Sequence, residues 1–115
     1  MSNGKKRQHP EADIQKEIVK YIRENHDWVV FSVPNEATRG KGNFKATGML
    51  SGVSDLVIVR LEEVIFMEVK SEIGRQTPDQ KQFQIDIERL GFKYYLVRTL
   101  NEAIRILDGP AFVKS

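Results

Sequence analysis

Asp55, Glu68 and Lys70 are the residues of this 115-residue chain whose types and spacing suit chemistry. Glu68 and Lys70 interrupt an apolar run, Val64-Ile65-Phe66-Met67-Glu68-Val69-Lys70, and Asp55 opens the apolar run before it. Both runs read as strands. Side chains alternate faces along a strand, so Glu68 and Lys70 share one face while Ile65, Met67 and Val69 take the other. If Glu62 and Glu63 form a two-residue turn, Leu61 pairs with Val64 and Asp55 stands opposite Lys70. Glu68 is then on the diagonal from Asp55, on the same face, with Cβ atoms roughly 7 Å apart or less. A slip of one residue without a bulge would put the two acids on opposite faces.

Two carboxylates that close repel each other, and a hard divalent cation between them relieves the repulsion. Such a cation polarises a phosphodiester and lowers the pKa of a bound water. A lysine beside it can orient or deprotonate that water, or neutralise charge that develops on the phosphate. An acid-x-Lys pair on a strand also describes a solvent-facing edge, so the pair alone does not decide the function. The chain has no cysteine and only two histidines, His9 and His26, whose spacing makes no site. Oxygen ligands therefore point to Mg²⁺ or Mn²⁺ rather than zinc.

The elements that must position these groups follow from periodicity. Pro10 with Ile14, Ile18 and Ile22 predicts an amphipathic helix over 10–25. Trp28 to Val33 is β-branched and aromatic and stops at Pro34, a first strand. Residues 35–52 are rich in Gly, Lys, Arg and Thr, and a loop of that length is commonly functional. The hairpin strands, Asp55–Leu61 and Val64–Ser71, come next. Thr77-Pro78-Asp79-Gln80 starts a helix with a capping-box pattern, and Gly91 stops it. Tyr94 to Val97 forms a fourth strand, and Thr99 with Glu102 opens a short last helix ending at Gly109. The order is that of a small α/β domain, one mixed four-stranded sheet flanked by helices. The length suits a single domain over residues 9–115 behind a flexible basic tail, residues 1–8.

Several side chains are candidates for supporting roles. Glu11 lies in the direction of the apolar stripe of the first helix and its rival Glu17 points away. An inward acid needs a partner, which a metal or metal-bound water would provide, although an early acid also favours a helix N-terminus electrostatically. Asn35 and the basic loop residues Arg39, Lys41 and Lys45 suit contacts to a nucleic-acid backbone, which carry no sequence code. Trp28, Phe31, Phe66, Tyr94 and Tyr95 are expected in core or sheet packing. The net charge of +2 neither demands nor excludes nucleic acid. No apolar run is long enough to span a membrane, and no signal peptide follows the basic N-terminal stretch, so a cytoplasmic protein is expected.

Asp55 followed by Glu68-Val69-Lys70, within an α-β-β-β-α-β order, resembles the PD-(D/E)XK nuclease superfamily. Gly48 to Asp55 is similar to the glycine-containing approach of its virus-type replication-repair nuclease family (VRR-NUC), Gln80 to that family's downstream glutamine, and Glu11 with Ile14-Gln15 to its first-helix motif. The resemblance runs from about Glu11 to Leu107, with Ser54 in place of the usual proline before the Asp. It implies a metal-dependent endonuclease with Asp55, Glu68, Lys70, Gln80 and Glu11 in its active site. The metal would be held by Asp55, Glu68 and the Val69 carbonyl, with Glu11 acting through water. It gives Gln80 an active-site role beside its capping role. It also implies DNA as partner, with branched or Holliday-junction DNA first and duplex second. A homodimer acting in replication, repair or recombination, often carried by phage, completes that picture. Rival expectations are a catalytically inactive nucleic-acid-binding module of the same fold, a protein-interaction subunit, and a nonspecific nicking or restriction-type endonuclease.

Overall fold

A computed structural model of the chain describes residues 10–34 and 46–109. The basic tail, His9, Asn35, Arg39, Lys41 and Lys45 lie outside the described residues. The elements run α1 (Pro10–Asn25), β1 (Val29–Ser32), β2 (Leu56–Arg60), β3 (Glu63–Val69), α2 (Pro78–Arg89), β4 (Lys93–Val97) and α3 (Leu100–Asp108). The strands form one sheet in the order β1-β2-β3-β4, antiparallel except for the parallel β3–β4 pair. A parallel pair needs a crossover, and α2 supplies it. This is the predicted mixed four-stranded sheet with its three helices.

Period-2 alternation divides the sheet's residues between its faces. Leu56, Ile58, Ile65, Met67, Val69 and Val97 meet Ile18, Tyr21 and Ile22 of α1 and Ala103, Ile104 and Leu107 of α3 in one buried cluster. Each fully buried aliphatic side chain stabilises by roughly 1.5–3 kcal/mol, so this face carries most of the burial. Below it, Asp108 joins helix to helix. It accepts from the Tyr21 hydroxyl and lies 2.9 Å from His26 Nε2. His26 in turn stacks on Trp28 at 3.7 Å, with the Arg60 guanidinium 4.8 Å from the Trp28 ring. Trp28 thus packs as expected, and His26 has a structural partner.

The opposite face is only half covered. Phe83 of α2 makes edge contacts with Phe66 of β3 at 5.5 Å and Tyr94 of β4 at 6.2 Å. Nothing among the described residues covers the β1–β2 half in the same way, and Val29 and Phe31 remain 59% and 47% exposed. Phe31 is therefore not the packing residue expected of it. Alternation gives the core position on β1 to Val30, and α2 does not reach across to Phe31.

The hairpin register also differs from expectation. Arg60 pairs with Glu63 and Val59 with Val64, so the turn is Leu61-Glu62 and Glu63 belongs to the strand. Charge explains the choice. Glu63 accepts from Arg60 Nε at 2.6 Å across the hairpin and from Lys93 Nζ at 2.6 Å on β4, contacts a turn position would forfeit. Glu62 takes the left-handed conformation, φ 56°, that closes the tight turn. The pairing moves by two residues relative to the expected one, an even number. Asp55 and Glu68 consequently stay on one face, and Asp55 faces Glu68 directly instead of Lys70.

Candidate active site

The acids and the lysine converge where β2 begins and β3 ends. Asp55 is tied down from two directions. Its carbonyl accepts from Val33 N at 3.0 Å, and its Oδ2 accepts from Val69 N at 2.8 Å. Ser54, fully buried, donates its hydroxyl to Leu56 O at 3.1 Å, so the residue standing in for proline fixes the local backbone through a hydrogen bond.

Glu68 is 1% exposed. Its Oε2 accepts from Gln80 Nε2 at 2.9 Å and lies 3.5 Å from Lys70 Nζ, while its Oε1 is buried with no hydrogen-bond partner. Burial, and then the charge of Asp55, pushes the Glu68 carboxyl up to about 8, against the pull of Lys70. Asp55 is raised too, mainly by burial, with the Val69 N–H opposing.

Gln80 serves two masters with one amide. Its Oε1 accepts from Thr77 N at 2.9 Å, and its own N–H bonds the Thr77 hydroxyl at 3.2 Å, which completes the capping box of α2. Because the oxygen is committed to a donor, the amide NH₂ must point at Glu68. The capping and site positions open to this residue are therefore both occupied.

Glu11, half-buried at the head of α1, accepts from Ser71 N at 3.0 Å, just past Lys70. Glu17 is exposed elsewhere. The 71–74 turn that receives Glu11 is braced by Arg98, whose Nη1 donates to Ser71 O at 2.6 Å and Gly74 O at 2.8 Å. Sequence reasoning passed over Arg98. A lone arginine after a strand carries no local signal, because its partners are carbonyls some 25 residues away.

Gly52 links the approach loop to α2. It has φ +86°, and a Cβ there would lie 2.4 Å from Asp79 O and 2.8 Å from Gln80 N. Both neighbours are backbone in the first turn of the helix that carries Gln80. Gly52→Ala should therefore cost about 3 kcal/mol of stability, from left-handed strain plus a contact that backbone cannot relieve. Urea unfolding reads this, and a variant as stable as wild type would refute the packing of loop on helix.

A divalent cation fits these residues. The orphaned Glu68 Oε1 and the two raised carboxyls describe a place where two buried acids have one lysine, Lys70, to offset them. Among the described residues no group of three or more His, Cys, Asp or Glu side chains forms a cage. Two carboxylates completed by backbone oxygen and water suit a hard octahedral ion better than zinc.

No protein-family model matches the chain, and no curated protein does. Solved structures do. The chain is similar to one described as "VRR_NUC domain", with 18% identity and a TM-score of 0.65 over 86% of this chain and 95% of that one. It is also similar to a "VRR_NUC domain protein", with 16% identity and a TM-score of 0.70 over 90% and 97% of the two chains. The fold is that of these VRR-NUC domain structures, an α/β fold with one mixed four-stranded sheet.

Proposed function

We propose that this chain, built on the VRR-NUC fold, is a nuclease that hydrolyses DNA phosphodiesters with Mg²⁺ or Mn²⁺. The observation that carries the reading is Glu68: a buried carboxylate oxygen without a partner, facing Asp55 and flanked by Lys70. A solvated acidic face, as in a protein-interaction subunit, would not bury this group to 1% exposure.

Asp55, Glu68 and the Val69 carbonyl would hold the ion, which when bound supplies Lewis-acid activation of water and of the scissile phosphate. The chain's own residues do the rest. Lys70, as an ammonium, holds the attacking water in line and neutralises charge on the phosphate oxygens as the P–O bond breaks. Gln80 holds the Glu68 carboxylate by Oε2, which leaves Oε1 free to serve an ion. Glu11 fixes the turn after Lys70 and with it the direction of the ammonium, and would act on an ion through water. Asn35, Arg39, Lys41 and Lys45 contact the DNA backbone. Residues 9–115 act as one domain with a basic tail at 1–8.

Branched DNA such as a Holliday junction is the preferred substrate, duplex the second. One domain holds one site and cuts one strand, so a two-fold homodimer would make paired cuts. Such an enzyme belongs to replication, repair or recombination in the cytoplasm of a bacterial or phage-infected cell. No helix among the described residues is long and apolar enough to cross a membrane.

The test is cleavage of supercoiled plasmid and of a labelled four-way junction with Mg²⁺, with Mn²⁺ and with EDTA. Metal-dependent cutting with symmetric incisions on the junction is expected. Cutting of plasmid at fixed sequences would point to a restriction-type enzyme. Binding of either DNA without cutting under any condition would sink the nuclease reading in favour of the inactive binding module.

A further inference from the structure

A groove of about 520 Å³ runs between the outer side of α1 and the edge strand β1. Its near end is Gln15, one turn along α1 from Glu11, and Ser32, the neighbour of Val33, which is bonded to Asp55. From there it leads away from the acids for about 12 Å, the helical rise over the eight steps from Gln15 to Arg23.

One wall is a stripe of cations. Lys16, Lys20 and Arg23 recur at i, i+4 and i+7 and so share a helix face. All three are exposed, and among the described residues Lys16 and Arg23 make no ion pair. Lys20 has only Glu24, at 4.0 Å with both side chains more than 60% exposed, a pair of little energetic weight. The stripe carries three positive charges against the one of Glu24. The floor is apolar, from Val19 and Val30, and β1 from Val30 to Ser32 forms the opposite wall.

We infer that this groove binds a single-stranded nucleic-acid segment leading out of the active site. Spaced cations along a crevice with an apolar floor suit a single strand, its phosphates tracked by the cations and its bases turned to Val19 and Val30. A duplex is too broad to enter a crevice bounded by one helix and one strand. An acidic peptide would satisfy the cations but gives no reason for the groove to begin beside the acids of the site. The inference rests on the proposed nuclease reading and deepens it: the substrate class becomes DNA with a single-stranded arm next to the cut.

The experiment measures anisotropy of a labelled oligothymidylate of about a dozen nucleotides, in EDTA, with the full chain. The Lys16→Ala/Lys20→Ala/Arg23→Ala variant changes exposed side chains, and a matching thermal melt verifies its fold. The triple variant should bind at least about tenfold more weakly. Its salt slope should fall by about 2, as expected for three lost contacts to a single strand. With Mg²⁺ or Mn²⁺, the ratio of cleavage of a tailed duplex to that of the same duplex with blunt ends should fall in the triple variant. Unchanged affinity and slope in that variant would overturn the groove, as would full competition by an oligoglutamate peptide. If the wild type cuts no DNA yet holds the oligonucleotide through these residues, hydrolysis falls and the groove stands. If it cuts DNA while the triple variant binds like wild type, the groove falls and hydrolysis stands.

Discussion

Lys70→Ala should lower the single-turnover rate of DNA cleavage by about a thousandfold, the middle of the range for a positioned group that handles protons or transition-state charge. Lys70 is 7% exposed and lies against Glu68, so its ammonium is held by the sheet and not by solvent. Substrate binding should change far less than the rate, because a buried side chain adds little to the surface that meets DNA. Lys70→Arg should not rescue. A planar guanidinium with a fixed fork of donors cannot sit where a compact ammonium points at one carboxylate oxygen. Asp55→Ala should be as severe, since it removes one of the two carboxylates that would hold the ion directly and also the acceptor of the Val69 N–H. A solvated edge makes the opposite forecast, with cleavage in Lys70→Ala within severalfold of wild type. That outcome would detach Lys70 from the chemistry whatever the protein does.

The pairing of these residues was readable in the sequence for a reason that survived an error. The turn was placed at Glu62-Glu63 and the molecule uses Leu61-Glu62, because nothing local to the hairpin reveals that Lys93, from β4, claims Glu63. The displacement is even, and a period-2 pattern is insensitive to even displacements. The face shared by Asp55, Glu68 and Lys70 was therefore legible, while the partner opposite Asp55 was not. Caps were legible for the opposite reason. Thr77 and Gln80, and Thr99 with Glu102, make their bonds within four residues, so the signal and the contact coincide. One detail escaped even there, for Glu102 turns its carboxylate to Arg98 N at 2.6 Å and not to its own cap. Phe31 was misplaced because an aromatic in a strand reads as packing unless one knows how far the covering helix extends. Arg98 was invisible because its carbonyl partners come from a turn that only the folded sheet brings near.

Stability in EDTA should fall as pH rises from 5 to 8, and a divalent ion should reverse the loss. Glu68 is the cause. Its carboxyl is ordinary in the unfolded chain, near 4.5, and is pushed up to about 8 in the fold, by burial first and by Asp55 second. Below pH 4.5 both states hold the proton and the contribution is fully present. Between 4.5 and 8 only the fold holds it, so each rise in pH favours unfolding, by at most about 1.4 kcal/mol per unit for one proton. Asp55, also raised, works in the same direction. Glu63 is lowered by Lys93 and Arg60, so its contribution is present above the ordinary carboxylate pKa and is lost only under more acid conditions. Tyr21 is pushed up to about 12 by burial and Asp108, which places its effect in strong alkali. The window from 5 to 8 thus belongs to the acid pair. Thermal melts across it should show a falling Tm for wild type and a much flatter profile for Glu68→Gln, which keeps the shape and removes the charge. Mg²⁺ or Mn²⁺ at pH 8 should raise the wild-type Tm, by the equivalent of about 2.7 kcal/mol at a hundredfold excess over Kd, and leave Glu68→Gln nearly unmoved. Because binding displaces the shared proton, the gain should shrink as pH falls toward 5. A wild-type profile as flat as that of Glu68→Gln, with no response to either ion, would mean that Glu68 is not the buried acid on which the metal site depends.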